Sequence, residues 1–318
     1  MINSFFLQNS VLTPNAASLE GAVWIDLDNP TPQEGAAVEA AVACEIPTRD
    51  EMKEIEISSR LYLYNNAVYM TAILPANSDS GDPVMGPVSF VLTPTHLVTI
   101  RYHAPRVFTA FPPRAIATKL EMQGADSVLM ALLEAVIDRQ ADILERAAIE
   151  IDVQSRSVFL PAKRGKNPDY QAVLEKIGQM GNLNSNIRDS LLTLDRLITY
   201  FGQILTKHDA NSDLRERVKT LASDVKSLAD HANFVGSKIT FLLDATLGLI
   251  NIQQNGIIKI FSVVSVIFLP PTLISSAYGM NFANMPELGW EHGYPYALGL
   301  MVTCAVLPYL FFKYKKWL

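Results

Sequence analysis

The sequence predicts a cytoplasmic α/β domain, a long stalk helix and two C-terminal transmembrane helices. Three observations carry this prediction. Strand-like alternation recurs through residues 1–124. Two apolar, charge-poor stretches close the chain at residues 257–278 and 294–312. Between the strand-rich part and these stretches an apolar repeat in steps of three and four runs without a proline. With 318 residues, 49% of them hydrophobic, and a net charge of −6, the chain has room for a soluble domain beside two spans.

The first region, residues 1–124, reads as a mixed α/β domain. Val23-Trp24-Ile25-Asp26-Leu27 alternates as a strand does and stops at Asp28-Asn29-Pro30. Thr31-Pro32 then opens an Ala-rich helix to about residue 43, with Thr31 as N-cap and Pro32 in the first turn. Residues 60–64, 68–73, 88–92 and 97–102 read as strands, with a hairpin turn at Asn65-Asn66 and a polar loop at 77–86. The acidic pairs and clusters here (Asp26 and Asp28; Glu51, Glu54 and Glu56) read as solvated faces or turns rather than as a metal site.

Residues 125–256 form a helical region and stalk. Residues 126–158 and 167–206 read as two helices. From Asp213 no proline occurs until Pro270, and Leu214, Val218, Leu221, Val225, Leu228, Ala232, Val235, Ile239, Leu242, Thr246 and Leu249 keep an a/d heptad rhythm. The rhythm leads straight into the first span, so residues 213–278 are predicted to be one helix, on the order of 100 Å long at 1.5 Å per residue. The stripe has two readings: a bundle within one chain, with 167–206 packed on it, or helices of several subunits gathered round one axis.

A bilayer core needs about 20 apolar residues in a helix. Residues 257–278 carry one charge, Lys259, and residues 294–312 carry none. Buried core helices are the competing reading, and the lengths favour spans. The tail 313–318 holds Lys313, Lys315 and Lys316, whereas the loop 279–293 holds Glu287 and Glu291 and no Lys or Arg. Positive residues stay inside, so both termini are expected in the cytoplasm, the loop outside, and the protein in the inner (plasma) membrane. Tyr278, Trp290, Tyr294, Tyr309 and Trp317 sit near the span ends as an aromatic belt would. MINSFFLQNS lacks the charge and apolar core of a signal peptide.

Other chemistry is not indicated. Two cysteines give no disulfide framework or zinc site, and the five histidines lack ligand spacing. Walker A, HExxH and GxSxG patterns are absent, so no enzyme is expected. The acidic balance argues against nucleic acid.

Two spans in one chain cannot enclose water, so a transport path needs a homo-oligomer. Stepping by three and four from Asn255 collects Asn255, Ile258, Ser262, Ser265, Leu269, Thr272 and Ser276, while Ile257, Ile260, Val264, Ile267 and Phe268 fall elsewhere. That segregation suits a polar path with apolar constrictions. Small Ser and Thr also let helices approach closely, or satisfy backbone freed by Pro270-Pro271. Periodicity alone leaves both readings standing.

Tyr278-Gly279-Met280-Asn281-Phe282 followed by Met285-Pro286-Glu287-Leu288, between two spans and before a lysine-rich end, resembles the CorA magnesium transporter family. Phe268-Leu269-Pro270-Pro271-Thr272, Gly293-Tyr294-Pro295 and Lys315-Lys316-Trp317-Leu318 extend the likeness. Ile46-Pro47-Thr48-Arg49-Asp50-Glu51-Met52 and Trp24-Ile25-Asp26-Leu27 carry it into the soluble domain. The resemblance implies a funnel-shaped homopentamer in the lipid bilayer, with five first spans round the pore. It implies a selectivity ring at Asn281, shaped by Gly279 and Met280, an inner ring at Asn255 and an intermediate ring at Thr272. Ile258, Phe261 and Leu269 would be the apolar constrictions; stepping along the helix puts Phe261 one position off the face. Transport of Mg²⁺, with Co²⁺ and Ni²⁺ as secondary divalent cations, and gating by intracellular Mg²⁺ are implied as well. Thr220 stands where the family's register leads one to expect a stalk carboxylate, leaving Asp213, Glu216 and Asp224 as the nearby regulatory candidates.

The ion suits the residues. Mg²⁺ keeps its waters, and a ring of Asn281 amide oxygens can hydrogen-bond a hydrated ion without stripping it. Conduction requires release as well as binding, and Glu287 and Glu291 would raise the local cation concentration. A zinc-transporting relative is the near alternative, which Met285-Pro286-Glu287-Leu288 disfavours. A membrane-anchored sensor or scaffold without transport is the alternative of another class, and it leaves the polar stripe without a purpose.

Overall fold

A computed structural model describes residues 1–15, 18–79, 83–159, 169–207, 212–281, 285–315 and 317. It divides into two units, Met1–Leu243 and Asp244–Leu318.

In the first unit, seven strands form one sheet: β1 (Ile2–Gln8), β2 (Val11–Pro14), β3 (Trp24–Asp28), β4 (Leu61–Tyr64), β5 (Ala67–Ala76), β6 (Val84–Leu92) and β7 (Leu97–Arg101). Their order is β2-β1-β3-β7-β6-β5-β4. Only β3 and β7 pair in parallel; β1–β2 and β4–β5–β6–β7 are antiparallel. The Asn65-Asn66 hairpin is as expected, both residues having positive φ of 47° and 64°, as a type I′ turn requires. The β1–β2 hairpin was not foreseen; it turns at Asn9-Ser10 with φ of 51° and 62°. The loop expected at 77–86 is shorter, because β6 begins at Val84.

Helix α1 (Pro32–Val42) starts as predicted. Thr31 and Glu34 form a reciprocal capping box, with Thr31 N–H donating to the Glu34 carboxylate at 2.8 Å. Val38 and Val42 of α1 bury one face of the sheet with Ile25, Leu27, Val98 and Ile100. A one-turn helix α2 (Ile57–Arg60) precedes β4, so Arg60 ends a helix rather than opening a strand. Helix α3 (Arg106–Ala117) covers the other face: Phe111 meets Trp24 edge-on at 5.8 Å, and Phe90 lies 6.5 Å from Phe108.

On that second face Asp26 is buried, correcting the solvated reading. Arg101, on the neighbouring parallel strand, donates to Asp26 from Nε at 3.2 Å and from Nη2 at 2.9 Å, and Thr99 Oγ1 donates at 2.9 Å. Asp28 takes the remaining Nη1 of Arg101 at 3.1 Å. These carboxylates are spent on holding a cation of the same chain.

Helices α4 (Ala125–Phe159) and α5 (Tyr170–Lys207) follow, close to the predicted spans. They pack on each other, and α5 packs on β5. Ile73 lies beyond the β4–β5 pairing, which ends at Leu61↔Met70, and α5 supplies partners for its backbone. Thr193 Oγ1 accepts from the Ile73 N–H at 3.0 Å, and Ser190 donates to the Ile73 carbonyl at 2.6 Å.

Helix α6 (Ser212–Tyr278) is continuous over 67 residues, as the heptad rhythm predicted. Within the first unit its stripe is buried at Leu214, Val218, Leu221, Val225, Ala232, Val235, Ile239 and Leu242. The partners come from the same chain. Asn184 on α5 donates to the Ala232 carbonyl at 3.0 Å, and a Cβ on Gly202 would stand 3.2 Å from Val218. Arg217 forks onto Glu134 of α4 at 3.1 and 2.9 Å. Of the two readings of the stripe, the intramolecular bundle is the one built here.

The second unit contains the end of α6 and α7 (Gly293–Tyr314), and both helices are long and apolar enough to cross a membrane. A short 3₁₀ turn, Pro286–Gly289, lies between them.

Candidate ion path

The geometry of α6 decides which side chains share a face. At about 100° per residue, Asn255, Ile258, Ser262, Ser265, Leu269, Thr272 and Ser276 occupy a sector about 100° wide. All seven are exposed in the single chain. Phe261 lies about 20° beyond that sector by the same rule, and it is exposed as well. A second set is sheltered: Val263 is buried, and Lys259, Ile267, Pro270, Pro271, Ile274 and Tyr278 are partly covered. Its centre lies about 150° away round the helix. Helix α7 offers a matching stripe, with Ala297 buried and Leu300, Met301, Cys304, Ala305, Pro308 and Phe312 partly covered. The Lys259 ammonium, 5.3 Å over the Trp317 ring, ties the two segments at one end. Helix α7 therefore covers α6 on the side away from the polar sector and leaves that sector open.

The hydroxyls bear on why Ser and Thr stand there. Pro270 and Pro271 have no N–H to give to the carbonyls of Val266 and Ile267. Ser262 Oγ instead donates to the Ile258 carbonyl at 2.8 Å, and Thr272 Oγ1 to that of Phe268 at 2.7 Å. Neither bond mends the backbone opened by the prolines. With the hydrogen committed to the helix, each hydroxyl oxygen keeps lone pairs for an outside donor. Water bound to a cation turns its hydrogens outward and is such a donor.

The end of α6 follows directly. The N–H of Gly279 closes the last turn onto the Ser275 carbonyl at 3.0 Å, and that of Met280 reaches Ala277 O at 3.3 Å. A Cβ at 279 would stand 3.1 Å from Ser275 O, so glycine lets the helix stop tightly. Met280 and Asn281 are exposed just past this stop. Phe282 lies outside the described residues, as does the side chain of Glu287; Glu291 is exposed. Across the loop Trp290 meets Tyr296 edge-on at 6.4 Å.

Asp213, Glu216 and Asp224 lie exposed along the first part of α6. Among the described residues, no three His, Cys, Asp or Glu side chains gather as metal ligands within this chain. At the expected carboxylate position, Thr220 donates its hydroxyl to Glu216 O at 3.2 Å. Sequence reasoning passed over the Lys259–Trp317 contact. Its signal was the lone charge of the first span facing a chain end that carries a tryptophan.

Comparison with known proteins agrees with this architecture. Residues 20–315 match the family described as CorA-like Mg2+ transporter protein. The magnesium transport protein CorA of Mannheimia succiniciproducens is 33% identical over 322 residues, covering all of both chains. That of Escherichia coli K12 is 32% identical over the same span. The solved structure of the complete CorA magnesium transporter of Methanocaldococcus jannaschii aligns with a TM-score of 0.78 at 20% identity, covering 100% of this chain and 99% of that one.

Proposed function

The chain belongs to the family of CorA-like Mg²⁺ transporter proteins, and on that premise we propose that it conducts hydrated Mg²⁺ inward through a pore made by several copies of α6, five by the family's pattern. The observation that carries this reading is the polar sector of α6 that α7 leaves uncovered. In a ring of subunits that sector is free to face the axis while α7 faces lipid. Asn255, Ser262, Ser265, Thr272 and Ser276 then present oxygen to the ion's waters, and Ile258, Phe261 and Leu269 narrow the path between them. Apolar constrictions of this kind gate by dewetting.

Asn281 is the selectivity ring. A carboxamide oxygen accepts from bound water at lower cost of release than a carboxylate, which suits an ion that sheds its shell reluctantly. Glu287 and Glu291 concentrate cations at the outer mouth. Co²⁺ and Ni²⁺ are the expected secondary ions. Internal Mg²⁺, bound between neighbouring subunits at exposed carboxylates such as Asp213, Glu216 and Asp224, acts as the closing ligand.

The test is uptake into liposomes holding the purified full chain, with Mg²⁺, Co²⁺, Ni²⁺ and Zn²⁺ compared side by side. Mg²⁺ uptake driven by an inside-negative potential, and lost in Asn281→Ala, is expected. Absence of any uptake would leave a membrane anchor, and preferential Zn²⁺ uptake would move the chain to the zinc branch.

A further inference from the structure

The basic end of the two spans carries a feature that transport does not use. Lys259, Lys313 and Lys315 all lie at that end, and among the described residues none of them pairs with a carboxylate. Aromatic rings hold Lys259 and Lys313 instead. Trp317 folds back through its N–H onto the Phe312 carbonyl at 2.9 Å and stacks on the Phe312 ring at 5.5 Å. Its other neighbour is the Lys259 ammonium, 5.3 Å from the ring centroid, while Lys313 sits 6.0 Å from that of Tyr309. Tyr314 and Trp317 remain exposed.

Lys259 also points the right way. It belongs to the sheltered α7 side of α6, roughly 90° round the helix from the centre of the polar sector. These ammonium groups therefore flank the path rather than line it, at the depth where a bilayer places phosphate. Unpaired lysines beside amphipathic rings at a span end are complementary to an anionic headgroup.

We infer that Lys259, Lys313, Lys315 and Trp317 form a binding site for the phosphate of an acidic phospholipid in the inner leaflet. The inference rests on both helices lying in a bilayer and not on the identity of the transported ion. Cation–π contacts fix Lys259 and Lys313 laterally, and the lipid phosphate supplies the counter-charge that the chain omits. Soluble phosphate has the same chemistry, but it lacks the acyl chains that would pack against Trp317 and Tyr309.

The full chain carrying Trp290→Phe leaves Trp317 as the reporter at the membrane. Its fluorescence is measured in vesicles of brominated phosphatidylglycerol mixed with ordinary phosphatidylcholine, and in the converse mixture. Phosphatidylglycerol should be preferred at Trp317 by at least about fivefold, the equivalent of ~1 kcal/mol for one lysine near an anionic surface. The triple variant K259Q/K313Q/K315Q should lose the preference, and K219Q/K226Q, which removes two lysines far along α6, should keep it. Excess inorganic phosphate at matched ionic strength should leave it unchanged. Equal quenching by both lipids, retention of the preference in the triple variant, its loss in K219Q/K226Q, or displacement by inorganic phosphate would each overturn the site. Mg²⁺ uptake in the same vesicles reports separately on the transport reading.

Discussion

Arg101 clasps Asp26 from the adjacent parallel strand through Nε at 3.2 Å and Nη2 at 2.9 Å, with both side chains about 3% exposed. Parallel pairing in the register Asp26↔Thr99 and Asp28↔Arg101 sets the two residues on one face, under the Phe108 ring. Removing one partner strands a buried charge. Asp26→Ala is expected to destabilise the full chain by about 3–5 kcal/mol, read as a lowered unfolding midpoint in detergent. Restoring an apolar match with Asp26→Leu and Arg101→Met should recover most of the loss.

Asp79 gives a pH dependence with a definite sign. Hydrogen bonds from Arg139 and Arg146 hold its carboxyl at about 2, below the ordinary 3.8. A depressed carboxylate contributes stability that is fully present above about pH 4 and disappears as pH falls towards 2. The difference in stability between the parent chain and Asp79→Asn should therefore be constant at neutral pH and shrink across that acid window. A difference independent of pH from 5 to 2 would contradict the assignment.

Val225 is fully buried in the seam between α6 and its own chain. Val225→Asp should destabilise the protomer by more than about 3 kcal/mol, visible as early proteolysis of the full chain. Phe234→Glu, on the exposed side of the same helix, should leave protomer stability within about 0.5 kcal/mol. Equal effects would mean that the stripe does not pack within the chain.

The contrast between these two positions shows what was legible in the sequence. The rhythm from Leu214 to Leu249 announced one long helix with an apolar stripe, and the helix is there. A repeat in threes and fours states only that something apolar faces the stripe, so it left the choice between α5 of the same chain and a neighbouring subunit open. Helix α3 was not among the expected elements: proline ordinarily disfavours a helix interior, yet here Pro105 occupies the N-cap position and Pro112 and Pro113 are carried inside the helix. The β1–β2 hairpin was hidden because Asn9-Ser10 lacks the glycine that usually marks such a turn. Asp26 read as solvated because its partner, Arg101, is 75 residues away. The polar sector of α6 was fully visible from spacing. The side covered by α7 was not, since it depends on two helices meeting.

Gly279 tests the mouth. A Cβ there would press on Ser275 O at 3.1 Å, so Gly279→Val should displace Met280 and Asn281 while leaving the rest of the chain folded. Mg²⁺ uptake should fall about tenfold or more, the scale of a ~1.4 kcal/mol barrier, with an unchanged thermal midpoint. Undiminished uptake would show that the tight stop is not needed for transport.

The central claim is tested most directly by single-cysteine modification along α6 in reconstituted full-length protein. Cys304 is replaced beforehand, and Cys44 is buried, with its thiol pushed up by that burial. A water-borne thiol reagent should modify cysteines at 258, 262, 265, 269, 272 and 276 and spare those at 263, 267 and 274. Modification at 263, 267 and 274, with the first set protected by lipid, would contradict a wet path along the polar sector.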